Sequence, residues 1–120
     1  MRTKIKILSL LIVFFFLGCS KDKEDDIKKS IANTVWSSNE NGVKETYSFV
    51  SEISVINRVT YSGSVRSLEF EYTYDYNYPT VNMYPTLSDY AELKGFISDN
   101  TMNVVNKSTG QTVSIVVLTK

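Results

Sequence analysis

The chain has 120 residues, thirteen lysine or arginine side chains against thirteen aspartate or glutamate, 42% hydrophobic residues and no histidine. That length allows one small domain. Without histidine the chain lacks the commonest general base near neutral pH and the commonest transition-metal ligand, so hydrolytic triads, zinc sites and bound cofactors are not expected. The single cysteine, Cys19, excludes an internal disulfide.

In chain order, a basic stretch with Arg2, Lys4 and Lys6 comes first, followed by the apolar run ILSLLIVFFFL from Ile7 to Leu17. Its length is that of a signal-peptide core rather than a membrane span. The run ends in FLGCS, with small Gly18 before Cys19. This resembles the lipobox of bacterial lipoproteins, which implies a signal peptide over 1–18 and Cys19 as lipid acceptor, new N-terminus and attachment to a membrane. An ordinary secretory signal or anchor is the plainer alternative, but it leaves the position of the only cysteine unexplained.

From Ser20 the chain is polar and charged, with no apolar residue before Ile27, and this predicts a flexible charged tether over 19–30. Serine rather than aspartate after the cysteine implies, by resemblance to Gram-negative lipoproteins, delivery to the outer membrane. The acidic cluster Asp22, Glu24, Asp25 and Asp26 resembles the charged tags that send some lipoproteins to the cell surface; a plain charged linker accounts for it equally well. Loss of the signal leaves ten basic against thirteen acidic side chains. A mildly acidic chain without a basic stripe is not expected to bind nucleic acid.

The remainder, 31–120, reads as one domain of short strands. Apolar residues alternate with period two at Tyr47 and Phe49; at Ile53 and Val55, continuing to Val59 and Tyr61; and at Leu68, Phe70, Tyr72 and Tyr74. The same pattern recurs at Val81 and Met83, at Leu93 and Ile97, at Met102 and Val104, and at Val113, Ile115 and Val117. Turn signals separate them: NENG at Asn39 to Gly42, SGS around Gly63, DYNYP at Asp75 to Pro79, SDN at Ser98 to Asn100 and NKSTG at Asn106 to Gly110. The predicted strands run Val35 to Ser38, Lys44 to Val50, Ile53 to Tyr61, Val65 to Tyr74, Thr80 to Tyr84, Glu92 to Ser98, Thr101 to Asn106 and Thr112 to Leu118. Helix is limited to short turns, at Ile27 to Ala32 and Leu87 to Leu93. Eight locally joined strands close most simply as an antiparallel up-and-down barrel, because closure removes exposed edges. A barrel of that size is either filled by side chains or holds one small ligand.

The opening IANTVWSS resembles the glycine-x-tryptophan start of lipocalin-like domains, with Thr34 where the family has glycine. YTYDYNYPTVNMYP resembles the middle of that pattern, and GFISDNTMNVVNKSTGQTVSIVVLTK resembles the closing hairpins of small lipocalin-like lipoproteins from Gram-negative bacteria. The resemblance implies an all-β lipocalin-like barrel with Trp36 closing its floor.

Tyrosine occupies every second position from Tyr72 to Tyr78. Phe70, Tyr72 and Tyr74 share one strand face and, with Trp36, are the candidate walls of a ligand site. Tyr76 and Tyr78 fall among turn signals, so with Tyr90 they are candidate interface anchors at a loop tip. Glu69 and Glu71 share the opposite, solvent face, where a cross-strand partner such as Arg58 or Lys44 accounts for them better than paired-carboxylate catalysis. Asp89, Glu92 and Asp99 match no calcium-loop order. The expected function is that of a non-enzymatic lipoprotein of the outer membrane or cell surface, binding a small hydrophobic or glycan ligand in or at the mouth of the barrel. The alternative is a protein-interaction module with a filled barrel, an inhibitor or an accessory subunit with a protein partner at the cell surface.

Overall fold

The computed structural model describes residues 22–119. The signal segment, Cys19 and Ser20 lie outside them. One helix, α1 (Asp22–Lys29), precedes eight strands: β1 (Thr34–Glu40), β2 (Val43–Phe49), β3 (Ser54–Tyr61), β4 (Ser67–Asn77), β5 (Thr80–Pro85), β6 (Leu93–Ser98), β7 (Thr101–Asn106) and β8 (Thr112–Leu118). Each strand pairs antiparallel with the next, and β8 pairs with β1, so the meander closes into a barrel in sequence order. The turns agree with their residues. Asn41 (φ +53°) and Gly42 (φ +76°) join the register pair Glu40 and Val43. Two consecutive left-handed residues make the tight turn whose twist matches a hairpin, and asparagine-glycine is its preferred pair.

Alternation along each strand sends one row inward. Trp36, Tyr47, Phe49, Val55, Tyr72, Tyr74, Val81, Met83, Leu93, Ile97, Met102, Val104 and Val116 form the core with Ile31, none more than 7% exposed. Full burial of a side chain of this kind contributes about 1.5–3 kcal/mol, so in a chain without disulfides this row carries the stability. Gly95 makes the row fit: a Cβ there would lie 2.6 Å from the sulfur of buried Met102.

Several sequence expectations are corrected. The helix spans Asp22–Lys29, inside the segment expected to be a flexible tether and not at Ile27 to Ala32, and the connection before β6 holds turns rather than helix. Strand β4 extends past Tyr74 to Asn77, so Asp75 and Asn77 are outward strand positions and the chain reverses at Tyr78 and Pro79. On β8 the inward phase is Ser114, Val116 and Leu118, while Val113, Ile115 and Val117 stand outside, 50%, 56% and 45% exposed. A register irregularity between Val104 and Val105 sets that phase. Because Ile115 to Leu118 are all apolar, hydrophobicity alone cannot choose between the two phases.

The end of the barrel that carries Ile31 is its floor. Trp36 is fully buried and its Nε1 donates to Thr34 Oγ1 at 2.9 Å, while that hydroxyl donates to the Ile31 carbonyl at 2.6 Å. Tyr74 packs edge-on against Phe49, ring centroids 5.0 Å apart, and donates its hydroxyl to the Ser51 carbonyl in the β2–β3 turn at 2.5 Å. Tyr76 donates to the Ile27 carbonyl of α1. That carbonyl belongs to the last turn of the helix, where intrahelical donors run out. An eight-residue helix is marginal on its own, so α1 is held where the charged segment meets the barrel, by Tyr76 and by Ser30, whose hydroxyl donates to Glu52 at 2.7 Å.

Outside the barrel, Asn103 lies between Phe96 and Ile115 in register, and its Oδ1 is buried without a hydrogen-bond partner. Two substitutions test this packing in opposite directions. Gly95→Val is expected to lower unfolding stability in urea by about 1–3 kcal/mol, because the core at Met102 is already full. Asn103→Val removes an unpaired acceptor from a strand and is expected to raise stability by about 1 kcal/mol, read in the same titration.

Candidate functional site

At the mouth, opposite the floor, lie the β1–β2, β3–β4, β5–β6 and β7–β8 connections. The structure divides the expected site residues between the two ends. Trp36 and Tyr74 belong to the floor and are buried, and Tyr72 is buried one register step nearer the mouth, so none of the three offers an open wall. Phe70 faces inward at the mouth and is half-buried; Tyr90, from the β5–β6 connection, packs edge-on against it with centroids 5.0 Å apart and remains 44% exposed. Tyr76 and Tyr78 sit at the floor beneath α1, with Lys28 Nζ 6.0 Å from the Tyr78 ring centre. Tyr76 is a half-buried strand residue and Tyr78 a half-buried residue of the β4–β5 turn, at the end of the barrel opposite Tyr90.

Sequence reasoning passed over Glu45. It lies on the inward phase Val43, Glu45, Tyr47 and Phe49 of β2, where an acidic residue among apolar and aromatic neighbours is itself a signal. Its Oε1 accepts from Asn57 Nδ2 and from Ser114 Oγ, each at 3.2 Å. With the Ser114 proton on Glu45, the 3.1 Å contact between Tyr47 Oη and Ser114 Oγ is made by the tyrosine donating. Asn57 also donates to the Thr46 carbonyl at 3.1 Å and is buried. The carboxylate is thus an acceptor fed only by neutral groups. The ion pairs among the described residues, Arg58 with Glu69 and Lys107 with Glu92 at 3.3 Å, lie elsewhere.

This arrangement keeps the tyrosines protonated. Burial pushes the Tyr47 hydroxyl far above its ordinary value, with the Glu45 charge adding to it, and burial with Glu45 and Tyr90 raises Tyr72 in the same direction. Near the floor, burial pushes Tyr74 up to about 12, assisted by Glu52, and burial pushes Tyr76 up to about 12, assisted by Tyr78 and Tyr74.

Glu45 faces a gap in the barrel wall. Strands β1 and β2 share seven register pairs, but β1 and β8 share only Trp36 with Leu118 and Ser37 with Val117. Thr119 reinforces that short closure, its N–H donating to the Val35 carbonyl at 2.7 Å and its hydroxyl 3.2 Å from Ser37 Oγ. Toward the mouth no register pair joins the two strands, and a groove of about 230 Å³ opens there, lined by Ser38, Glu40, Glu45, Val113, Ser114 and Ile115 among others. No lysine or arginine lines it. A second groove, of about 550 Å³, separates α1 from the floor beside Val35 and Leu118.

The acidic candidates separate. Glu69 pairs across the strands with Arg58, whose Nε donates at 2.8 Å, as the cross-strand register dictates. Glu92 lies at the mouth with Lys107, whereas Asp99 is in the β6–β7 turn at the floor. Among the described residues no group of three or more acidic, histidine or cysteine side chains is placed to hold a metal. What the mouth and groove present is a carboxylate acceptor beside half-exposed aliphatic and aromatic side chains. No protein-family model, curated protein or solved structure matches the chain.

The tyrosine environments imply a pH dependence. Tyr74 and Tyr76 have folded-state values above the ordinary value of 10.0, so the folded state favours their protonated form. Their contribution to stability is complete below pH 10 and is lost as pH rises through about 12. The melting temperature is therefore expected to fall steeply over that interval, and Tyr76→Phe to flatten the fall.

Proposed function

We propose that the chain is a lipid-anchored, non-catalytic binding module of the outer membrane or cell surface that takes a protein partner on the outside of its barrel. The observation that carries this is the filled interior: Trp36, Val55, Val81, Met83, Met102, Val104 and Val116 are all fully buried, and side chains occupy the space in which a lipocalin-like barrel would hold a ligand. Recognition then falls to the outer surface. There Val113, Ile115 and Val117 form a half-exposed aliphatic row on one strand, an arrangement suited to partner contact.

The lipid anchor orients this surface. From Cys19 to Asp22 the chain reaches at most about 11 Å, and α1 then meets the floor through Tyr76 and Ile27. In this reading the floor is the membrane-proximal end, and the mouth with the upper part of β8 is turned away from the bilayer.

A second reading is favoured by one specific feature, the Phe70 and Tyr90 pair beside the inward carboxylate of Glu45. A glycan ring or a small amphiphile held at the mouth would stack on Tyr90 and donate to Glu45 without entering the core.

The two readings separate in two measurements. Photo-crosslinking side chains placed singly at the outward positions Ile115, Glu71, Thr73 and Phe96 in the host are expected to give a discrete protein adduct from at least one position; none from any position overturns the protein-partner reading. A native mass spectrum of the mature protein after incubation with host lipid and glycan extracts is expected to show the bare mass. An added mass that disappears in Tyr90→Ala establishes the mouth reading instead.

A further inference from the structure

We infer that the open upper half of the β1–β8 seam receives an extended segment of a partner protein as an added strand, and that this segment alternates aliphatic with lysine or arginine side chains. The inference rests on the protein-partner reading above and names the surface and the chemistry. Three observations converge on it.

The first is the backbone. Beyond Ser37 and Val117 no pair joins β1 to β8, so the side of Thr112 to Val116 that faces β1 has no strand partner there, although Thr112, Ser114, Ile115 and Val116 pair with β7 on their other side. An unpaired strand edge is a template for strand addition, and natural barrels close to avoid presenting one. This barrel closes at the floor and leaves the edge free near the mouth.

The second is the side chains on either side of that edge. Outward, Val113 and Ile115 are 50% and 56% exposed. Inward, the groove presents Ser114 with the carboxylates of Glu45 and Glu40, and no cation. A strand laid on this edge places successive side chains on opposite faces, so one set meets aliphatic surface and the next meets negative charge. Only a segment that is aliphatic at one phase and cationic at the other satisfies both.

The third is the state of Glu45. Asn57 and Ser114 both donate to Oε1, and no positive group among the described residues accompanies it. A lysine or arginine entering from the groove supplies the missing charge, and Glu40 at the strand end adds to the attraction. A second copy of this chain is a poorer occupant. The inward residues of its own β8 are Ser114 and Val116, which bring no charge to Glu45.

The probe is a short acetylated peptide of alternating valine and lysine, added to the mature lipidated protein in detergent and followed by fluorescence anisotropy and by amide hydrogen exchange. Binding with slowed exchange over Thr112 to Val116 is expected. The same peptide with glutamate for lysine is expected not to bind. A version N-methylated at alternate residues keeps every side chain and charge but loses ladder donors, and it too is expected not to bind. Glu45→Gln is expected to weaken the peptide at least about tenfold, and Ile115→Ser, which leaves Glu45 untouched, to weaken it as well. The inference is overturned by equal binding of the N-methylated or glutamate peptide, by exchange that does not slow at β8, or by wild-type affinity in both variants. If the peptide fails while a protein adduct forms from another outer position, the seam is wrong and the protein-partner reading stands.

Discussion

Closing a barrel requires the last strand to find the first, and here only two register pairs do so. Backbone pairing holds the floor half of that junction, where Thr119 also bonds to Val35 and Ser37. In the mouth half, side chains take over: Ser114 on β8 meets Glu45 and Tyr47 on β2. A hydrogen bond of this kind contributes about 1 kcal/mol net, but leaving one of its buried members unpaired costs more. The latch therefore confers register more than strength. The same Glu45 that ties β8 to β2 lines the gap, so the residue that closes the barrel also gives its open side a charge.

The floor is built differently. Its contacts are hydroxyl-to-carbonyl bonds from buried Tyr74 to Ser51 and from half-buried Thr34 to Ile31 and Tyr76 to Ile27. Each uses an aromatic or β-branched side chain whose apolar part fills the interior while its polar tip satisfies a carbonyl where regular pairing ends. The tyrosine row of β4 thus does more than fill the core. It fastens one chain reversal and the incoming helix to the end of the barrel.

Much of this was legible in the sequence where one phase of a strand is apolar and the other polar. β5 and β7 show that contrast most plainly, with Val81, Met83, Met102 and Val104 inward, while β2 and β3 each carry a polar residue, Glu45 and Asn57, on the inward row. β8 lacks the contrast, since apolar residues run from Ile115 to Leu118, and the bulge that selects Val116 over Ile115 is a property of the pairing with β7. The end of β4 was obscured for the opposite reason. Asp75 and Asn77 resemble a turn because outward strand positions are polar in any case. Residue α1 contact Ile27 carries no periodic signal, because its docking depends on Tyr76, forty-nine positions away. Glu45 could have been noticed from the phase of Tyr47 and Phe49, but its partner Ser114 could not, because that requires the β8 phase.

A filled interior and an incomplete seam are two consequences of one limit on size. Fourteen apolar side chains of the described residues pack the core, and emptying even part of it would cost several kcal/mol through cavity formation. The strand edge carries no such penalty: its amides and carbonyls meet water when free and meet a ladder when paired, so occupancy by a partner exchanges one set of hydrogen bonds for another and adds the burial of Val113 and Ile115. In a barrel of this size the wall can change its contacts without disturbing the centre, and the wall is weakest where β1 and β8 part.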